Sequence, residues 1–239
     1  MPRFHGGRTL RAALVFLPFA IAACQTVPPA ADTAVLAEPA GDALSVPSGT
    51  PRFAVDPRAS EIRLLVYRDG PLARFGHNHV IVGRIAGEIR AGDAAATSAF
   101  RFEVPVDSFA VDPPAARAEE GPEFAAEVSE EARQGTRANL LGESLLHAAT
   151  QPLIRIASVA LAGPRWNPTV TARVTFLGAT RDLRFPAAVF QNGDALEVIA
   201  SFRLRQSEFG MMPFAALGGG LLVRDAIDVR IRIVARRAT

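Results

Sequence analysis

The stretch Ile227-Asp228-Val229-Arg230-Ile231-Arg232-Ile233 decides the fold. Aliphatic and charged residues alternate through it, and a period of two puts every aliphatic on one face of a strand and every charge on the other. A helix would scatter both sets around its circumference. The same habit recurs upstream. Ile62, Leu64 and Val66 alternate, as do Phe100, Phe102 and Val104 around Arg101 and Glu103. Ile154 and Ile156 flank Arg155, Leu183 and Phe185 flank Arg184, and Phe202 and Leu204 flank Arg203. These are half-buried antiparallel strands. Runs near 61–68, 80–90, 98–106, 153–162, 169–177, 181–190, 195–205 and 222–235 make about eight of them. Gly178-Ala179 and Asn192-Gly193 stand between adjacent runs as tight reversals. Eight meandering strands close most economically into a barrel, because closure removes the exposed edges. The expected class is therefore all-β, an antiparallel β-barrel of about eight strands.

Composition agrees with one such domain plus some non-globular sequence: 239 residues, 49% hydrophobic and 21% charged. All 26 basic residues are Arg, which removes Schiff-base lysines and phosphate-loop lysines from consideration. Fifteen Phe stand against one Tyr, Tyr67, and one Trp, Trp166, a bias toward rings without a polar handle and toward an apolar interior.

The first 23 residues read as an address. Arg3, Arg8 and Arg11 precede an apolar run from Ala12 to Ala23, the size of a signal-peptide core and shorter than the roughly 18 to 20 residues of a spanning helix. The run ends Ile21-Ala22-Ala23-Cys24, which resembles a bacterial lipobox, and Cys24 is the only cysteine. Residues 1–23 are expected to be a lipoprotein signal peptide, with Cys24 carrying diacylglycerol and an acyl chain such as palmitate. Such a double anchor holds a protein stably at a membrane. Gln25 stands where inner-membrane lipoproteins carry Asp, so the expected location is the outer membrane, facing the periplasm. Removing the leader leaves 23 Arg against 24 acidic residues, and the basic precursor then says nothing about nucleic acid. Residues 24–51 are rich in Ala, Pro, Thr, Ser and Gly and read as a tether. The barrel domain is expected over 52–237. With the lone cysteine committed to lipid, no disulfide can staple it.

One stretch breaks the alternation. Between Pro122 and Ala149, Phe124, Val128 and Ala132, then Leu140, Leu141, Leu145 and Leu146, suit helical spacing. Two short helices are expected, separated near Gln134-Gly135. Glu119, Glu120, Glu123, Glu127, Glu130 and Glu131 gather at its start, and a solvated helix face favoured by the N-terminal dipole accounts for them.

The order of motifs carries a resemblance. A His-containing turn leads to a strand, and a later strand ends in Val106-Asp107-Ser108. Phe176-Leu177-Gly178-Ala179-Thr180-Arg181-Asp182-Leu183 follows, then Arg205-Gln206-Ser207-Glu208-Phe209-Gly210-Met211. The chain resembles the YceI-like family of bacterial exported proteins across essentially all of 52–237, with Gly178, Thr180, Arg181, Ser207, Phe209 and Gly210 matching its pattern. The resemblance implies a lipocalin-like barrel whose apolar tunnel binds polyisoprenoid or another long-chain amphiphile, and the expected function is binding or carriage without catalysis. Inward Phe102, Phe176, Phe185, Phe202 and Phe209, with Met211, are then expected to contact that ligand. The sequence departs from the family in a longer, more helical segment at 113–150 and in a second histidine within Phe75-Gly76-His77-Asn78-His79.

His77 and His79, two apart, fall on one side of a strand, a geometry for two ligands of Zn, Cu or Ni. His147 or Glu143 would have to supply a third. The reading preferred on sequence puts the two histidines at the tunnel mouth, where they donate to the ligand's polar head and hold no metal. The alternative is a metal-binding or redox-accessory envelope lipoprotein using His77, His79 and His147. A third possibility is a surface lipoprotein whose barrel is a filled core. Enzyme signatures are weak: Leu146 stands where a nucleophile elbow Gly142-x-Ser144-x would need glycine, and no Lys follows Gly218-Gly219-Gly220.

Overall fold

The structure, a computed structural model, describes Met1 and residues 46–238. The leader and Cys24 lie outside the described residues. The described residues form fourteen strands: β1 (Arg52–Val55), β2 (Glu61–Val66), β3 (Arg68–Asp69), β4 (His79–Arg84), β5 (Ala86–Arg90), β6 (Ala99–Pro105), β7 (Ala110–Val111), β8 (Leu153–Ala162), β9 (Thr169–Phe176), β10 (Ala179–Asn192), β11 (Ala195–Arg205), β12 (Ala215–Ala216), β13 (Leu221–Val223) and β14 (Ala226–Arg237). The stretch that opens the sequence reading is the middle of β14. Its Ile227, Val229, Ile231 and Ile233 are all buried, whereas Arg230 and Arg232 are exposed.

β14 is the closing strand. One edge pairs with β11 from Ala226↔Arg205 to Arg236↔Ala195. The other edge pairs first with β2, from Asp228↔Leu65 to Arg232↔Glu61, and then with β1, from Ala235↔Val55 to Arg237↔Phe53. β1 and β2 are thus two parts of one interrupted strand, and β4 and β5, which pair with them in turn, are two parts of the next. The ring continues through β6, β8, β9, β10 and β11 back to β14, an eight-strand closed antiparallel barrel. A separate three-stranded sheet, β12-β13-β3, lies outside the ring. Phe53, Ile62, Ile89, Phe102, Ile156, Phe176 and Phe185 join the β14 aliphatics in one continuous core.

The interruption after β1 begins at Asp56-Pro57, where proline has no N–H to give to a ladder. Ser60 repairs the gap. Its buried hydroxyl accepts from the Val234 N–H at 2.9 Å and donates to the Val234 carbonyl at 3.2 Å, while the Asp56 N–H donates to the same carbonyl at 2.8 Å.

The insertion between β6 and β8 covers the outer wall. β7 pairs with β4, and α1 (Pro114–Ala118) follows it. Ala116 and Phe124 pack with Leu65 and Val80 into a small second core outside the barrel. Helix α2 (Glu130–Leu141) starts at Ser129, whose hydroxyl accepts from the Ala132 N–H. The expected break near Gln134-Gly135 is absent: the helix runs through Gly135, since a single exposed glycine costs only about 1 kcal/mol against alanine. The second expected helix is replaced by turns at 143–149. The acidic cluster also differs in part from a solvated face. Glu119 and Glu120 each meet Arg63 at 2.9 Å, and Glu120 meets Arg230 at 2.7 Å, so these two fasten the insertion to the barrel wall. No helix among the described residues is long and apolar enough to cross a membrane.

Because Ser60 is the sole side chain bridging both polar groups of Val234 among the described residues, Ser60→Ala should destabilise the fold by about 1 kcal/mol. Urea unfolding should show this as a lowered midpoint with an unchanged slope.

Candidate functional site

The two ends of the barrel differ in chemistry. At the end carrying the Asn192–Ala195 turn, the interior opens into a narrow cavity of about 70 Å³. Its walls include Ile89, Phe102, Val170, Leu196 and Val198, and four small residues, Ala91, Ala95, Ala99 and Ala187, all buried. These alanines create the space. Each occupies a buried position where a larger aliphatic would fill the interior to normal density. Arg165 is the charged residue of the lining and reaches Gln191; Ser98 is occupied within its own loop, accepting from the Gly92 N–H and donating to the Ala94 carbonyl. Beside Arg165, Trp166 and Phe190 stand exposed, and the Val189 N–H bonded to the Trp166 carbonyl at 2.9 Å ties their loops together.

The opposite end carries the histidines. His79 and Ile89 are ten residues apart along the interrupted strand β4–β5, roughly 30 Å of extended chain, so the pair does not line the cavity. His79 opens β4, and its Nδ1 lies 2.7 Å from Asp112 Oδ2. Asp112 is completely buried and follows β7 in the left-handed region at φ +51°. Its Oδ1 accepts from the Val80 N–H at 2.8 Å and from Arg117 Nη1. Arg117, also buried, donates further to the carbonyls of Asn78, Phe124 and Ala126. The Asn78 side chain accepts from the Arg68 N–H and donates to the Glu123 carbonyl. One arginine and one carboxylate thus lock the histidine turn, β7 and the helical insertion together.

Burial alone would push the Asp112 carboxyl up, but bonds from His79, the Val80 N–H and Arg117 outweigh it and hold it below the ordinary carboxylate range. His77 sits with its ring centre 4.5 Å from that of His79. Burial, and then the neighbouring His79, push His77 below the usual imidazole value. Its Nε2 is the one buried side-chain nitrogen or oxygen without a hydrogen-bond partner among the described residues.

Of the aromatic residues expected at a ligand, Phe102 lines the cavity and stacks on Phe100 at 4.7 Å. Phe185 stacks on Phe202 at 4.2 Å, Phe176 and Phe209 are buried in the core, and Met211 packs against it. His147 is not brought to His77 and His79; it forms a turn at φ +47°, its carbonyl accepting from Thr150 and Gln151. Asp112 takes the third place instead. No periodic signal marks it, because only the two-residue pairing of β7 with β4 brings it across 33 residues to His79. The motif residues at this end hold turns. Leu177 and Gly178 both take positive φ, and Thr175 and Thr180 bond across the hairpin. Gly210 takes φ +77° behind the buried Phe209, and Asp225 accepts from both the N–H and the hydroxyl of Ser207.

Fold and cavity together define an up-and-down closed barrel with an apolar recess at one end. A family model described as a YceI-like domain matches residues 53–235, and the chain belongs to that family. Its fold is that of BcnA from Burkholderia cenocepacia, with a TM-score of 0.56 at 16% identity over 77% of this chain and 99% of that one. It is also similar to a polyisoprenoid-binding domain from Saccharophagus degradans implicated in plant cell wall breakdown, with a TM-score of 0.53 at 10% identity over 78% and 98% of the two chains. No curated protein matches the chain.

Removing Arg117 takes one of three bonding partners from the buried Asp112 carboxylate and strips the carbonyls of Asn78, Phe124 and Ala126 of their donor. Arg117→Met should cost about 3 kcal/mol or more at pH 7. Loss of Arg117 removes one of the bonds that hold Asp112 low, so Asp112 takes up a proton at higher pH than in the native protein and the penalty should shrink as pH falls from 7 toward 4. Denaturant unfolding of both proteins at the two pH values checks the size and the sign.

Proposed function

We propose that this protein binds, without catalysis, the chain of a long-chain amphiphile such as a polyisoprenoid, a quinone-like lipid or a fatty acid, and carries it in the bacterial cell envelope. The observation that carries this reading is the alanine-walled apolar cavity with Arg165 as its charged lining residue. Apolar walls suit a hydrocarbon chain, and a guanidinium at the wall suits a phosphate or carboxylate head. The domain of similar fold from Saccharophagus degradans is a polyisoprenoid-binding one, which supports the same class of ligand. The narrow cavity admits a chain end; a longer chain must displace side chains such as Phe102 to go deeper. Exposed Trp166 and Phe190 beside the opening are suited to the boundary between water and lipid. Cys24 would hold the protein at the outer membrane, on its periplasmic side, with residues 25–51 as the tether.

Filling the cavity should abolish binding with little effect on the barrel's outer surface. Ala187→Phe is expected to reduce affinity for a fluorescent long-chain fatty acid by at least about tenfold, whereas Arg165→Gln should weaken the acid and spare the matching alcohol. Unchanged affinity for both probes in Ala187→Phe would sink the reading. The anchor has its own check: Cys24→Ala should move the protein from the membrane fraction to the soluble fraction of the envelope, and retention in the membrane pellet would contradict it.

A further inference from the structure

The histidine end has a chemistry that lipid carriage does not use. One donor atom from each of His77, His79 and Asp112 lies within 4.8 Å of the other two. We propose that these residues bind a divalent transition-metal ion, Zn²⁺ or Cu²⁺, through two imidazole nitrogens and one carboxylate oxygen.

Three observations carry the assignment. First, His79 Nδ1 and Asp112 Oδ2 stand 2.7 Å apart, close to the roughly 3 Å separating two donors that share one ion at metal–ligand distances of about 2.0–2.1 Å. An ion replaces the proton between them, and His79 changes tautomer, moving its N–H to Nε2. The His79 side chain is 16% exposed, so solvent can reach it. Second, His77 Nε2 is buried without a hydrogen-bond partner among the described residues, which leaves its lone pair or N–H free to serve a water or an ion. Third, Asp112 Oδ1 is already engaged by the Val80 N–H and Arg117, so only Oδ2 is left for a metal. The carboxylate is therefore monodentate, the set is two nitrogens and one oxygen, and a fourth position stays open to water. Borderline ions prefer such a set; Mg²⁺ and Ca²⁺ prefer oxygen alone. Arg117 keeps its full charge, but the Asp112 carboxylate and the negative ends of the Asn78, Phe124 and Ala126 carbonyl dipoles lie against it and partly offset its repulsion of a nearby cation.

The site stands apart from the lipid cavity, and its test does not depend on lipid. The mature chain carrying Cys24→Ala, which removes the only thiol, is stripped with a chelator and titrated calorimetrically with Zn²⁺ and with Cu²⁺. One equivalent should bind, and nitrogen splitting should appear in the electron paramagnetic resonance spectrum of the Cu²⁺ form. His77→Ala and His79→Gln should each weaken binding by at least the roughly 10–100-fold that loss of an outer-shell partner costs, and the double variant should lose both the equivalent and the nitrogen splitting. His79→Gln keeps an N–H donor for Asp112, and unchanged thermal unfolding of the metal-free variants shows that they fold. His147→Ala should bind as the parent does. Absence of saturable binding for both ions in the parent protein, or full affinity retained by the double variant, would overturn the assignment.

Discussion

Hydrogen bonding along both edges of Ala226–Arg237 is the constraint on which the structure depends. β11 occupies one edge for the whole length, and β2 and β1 divide the other. An open sheet with the same strands would expose two ladders of unpaired N–H and C=O groups and one face of aliphatics. Closing it turns that face into an interior, and it requires the β1–β2 strand to remain continuous across Asp56-Pro57. Ser60 meets that need with one hydroxyl. The buried pair Asp112–Arg117 plays a comparable part outside the ring, where it fixes the insertion against β4 and the histidine turn.

Most of the barrel was legible because half-buried strands leave a signature of period two. Every long strand of the ring corresponds to an alternating run, and Asn192-Gly193 marks its hairpin. Pieces too short for a period to show were not legible. β1 spans four residues and β7 two, and each is defined only by its partner strand. The helical insertion was recognised by its lost alternation, but α2 passes through Gly135 because that glycine faces open space and meets no steric demand.

The site was legible in a different measure. The two histidines announced themselves by spacing, yet their partner Asp112 is brought in by tertiary pairing, which local sequence cannot encode. The cavity left a faint mark, alanine at Ala91, Ala95, Ala99 and Ala187 where large aliphatics were the rule. Sequence reading placed the histidines at the tunnel mouth, and the structure puts the described cavity at the other end. One end of the barrel is thus apolar with an arginine in its lining, and the other is a hydrogen-bonded polar cluster. Buried side chains of one continuous core, among them Ile156 and Ile231, lie between the two ends.

That division is why the alanine-walled end is proposed as the entry for a hydrocarbon chain, and the central claim is that the chain enters there in the cell. Native mass spectrometry of the protein extracted gently from bacterial membranes tests this most directly. The account predicts a population heavier than the protein alone by the mass of one long-chain amphiphile, released on mild activation and missing from the Ala187→Phe variant. A single species at the mass of the protein alone, from protein that is folded and freshly extracted, would contradict it.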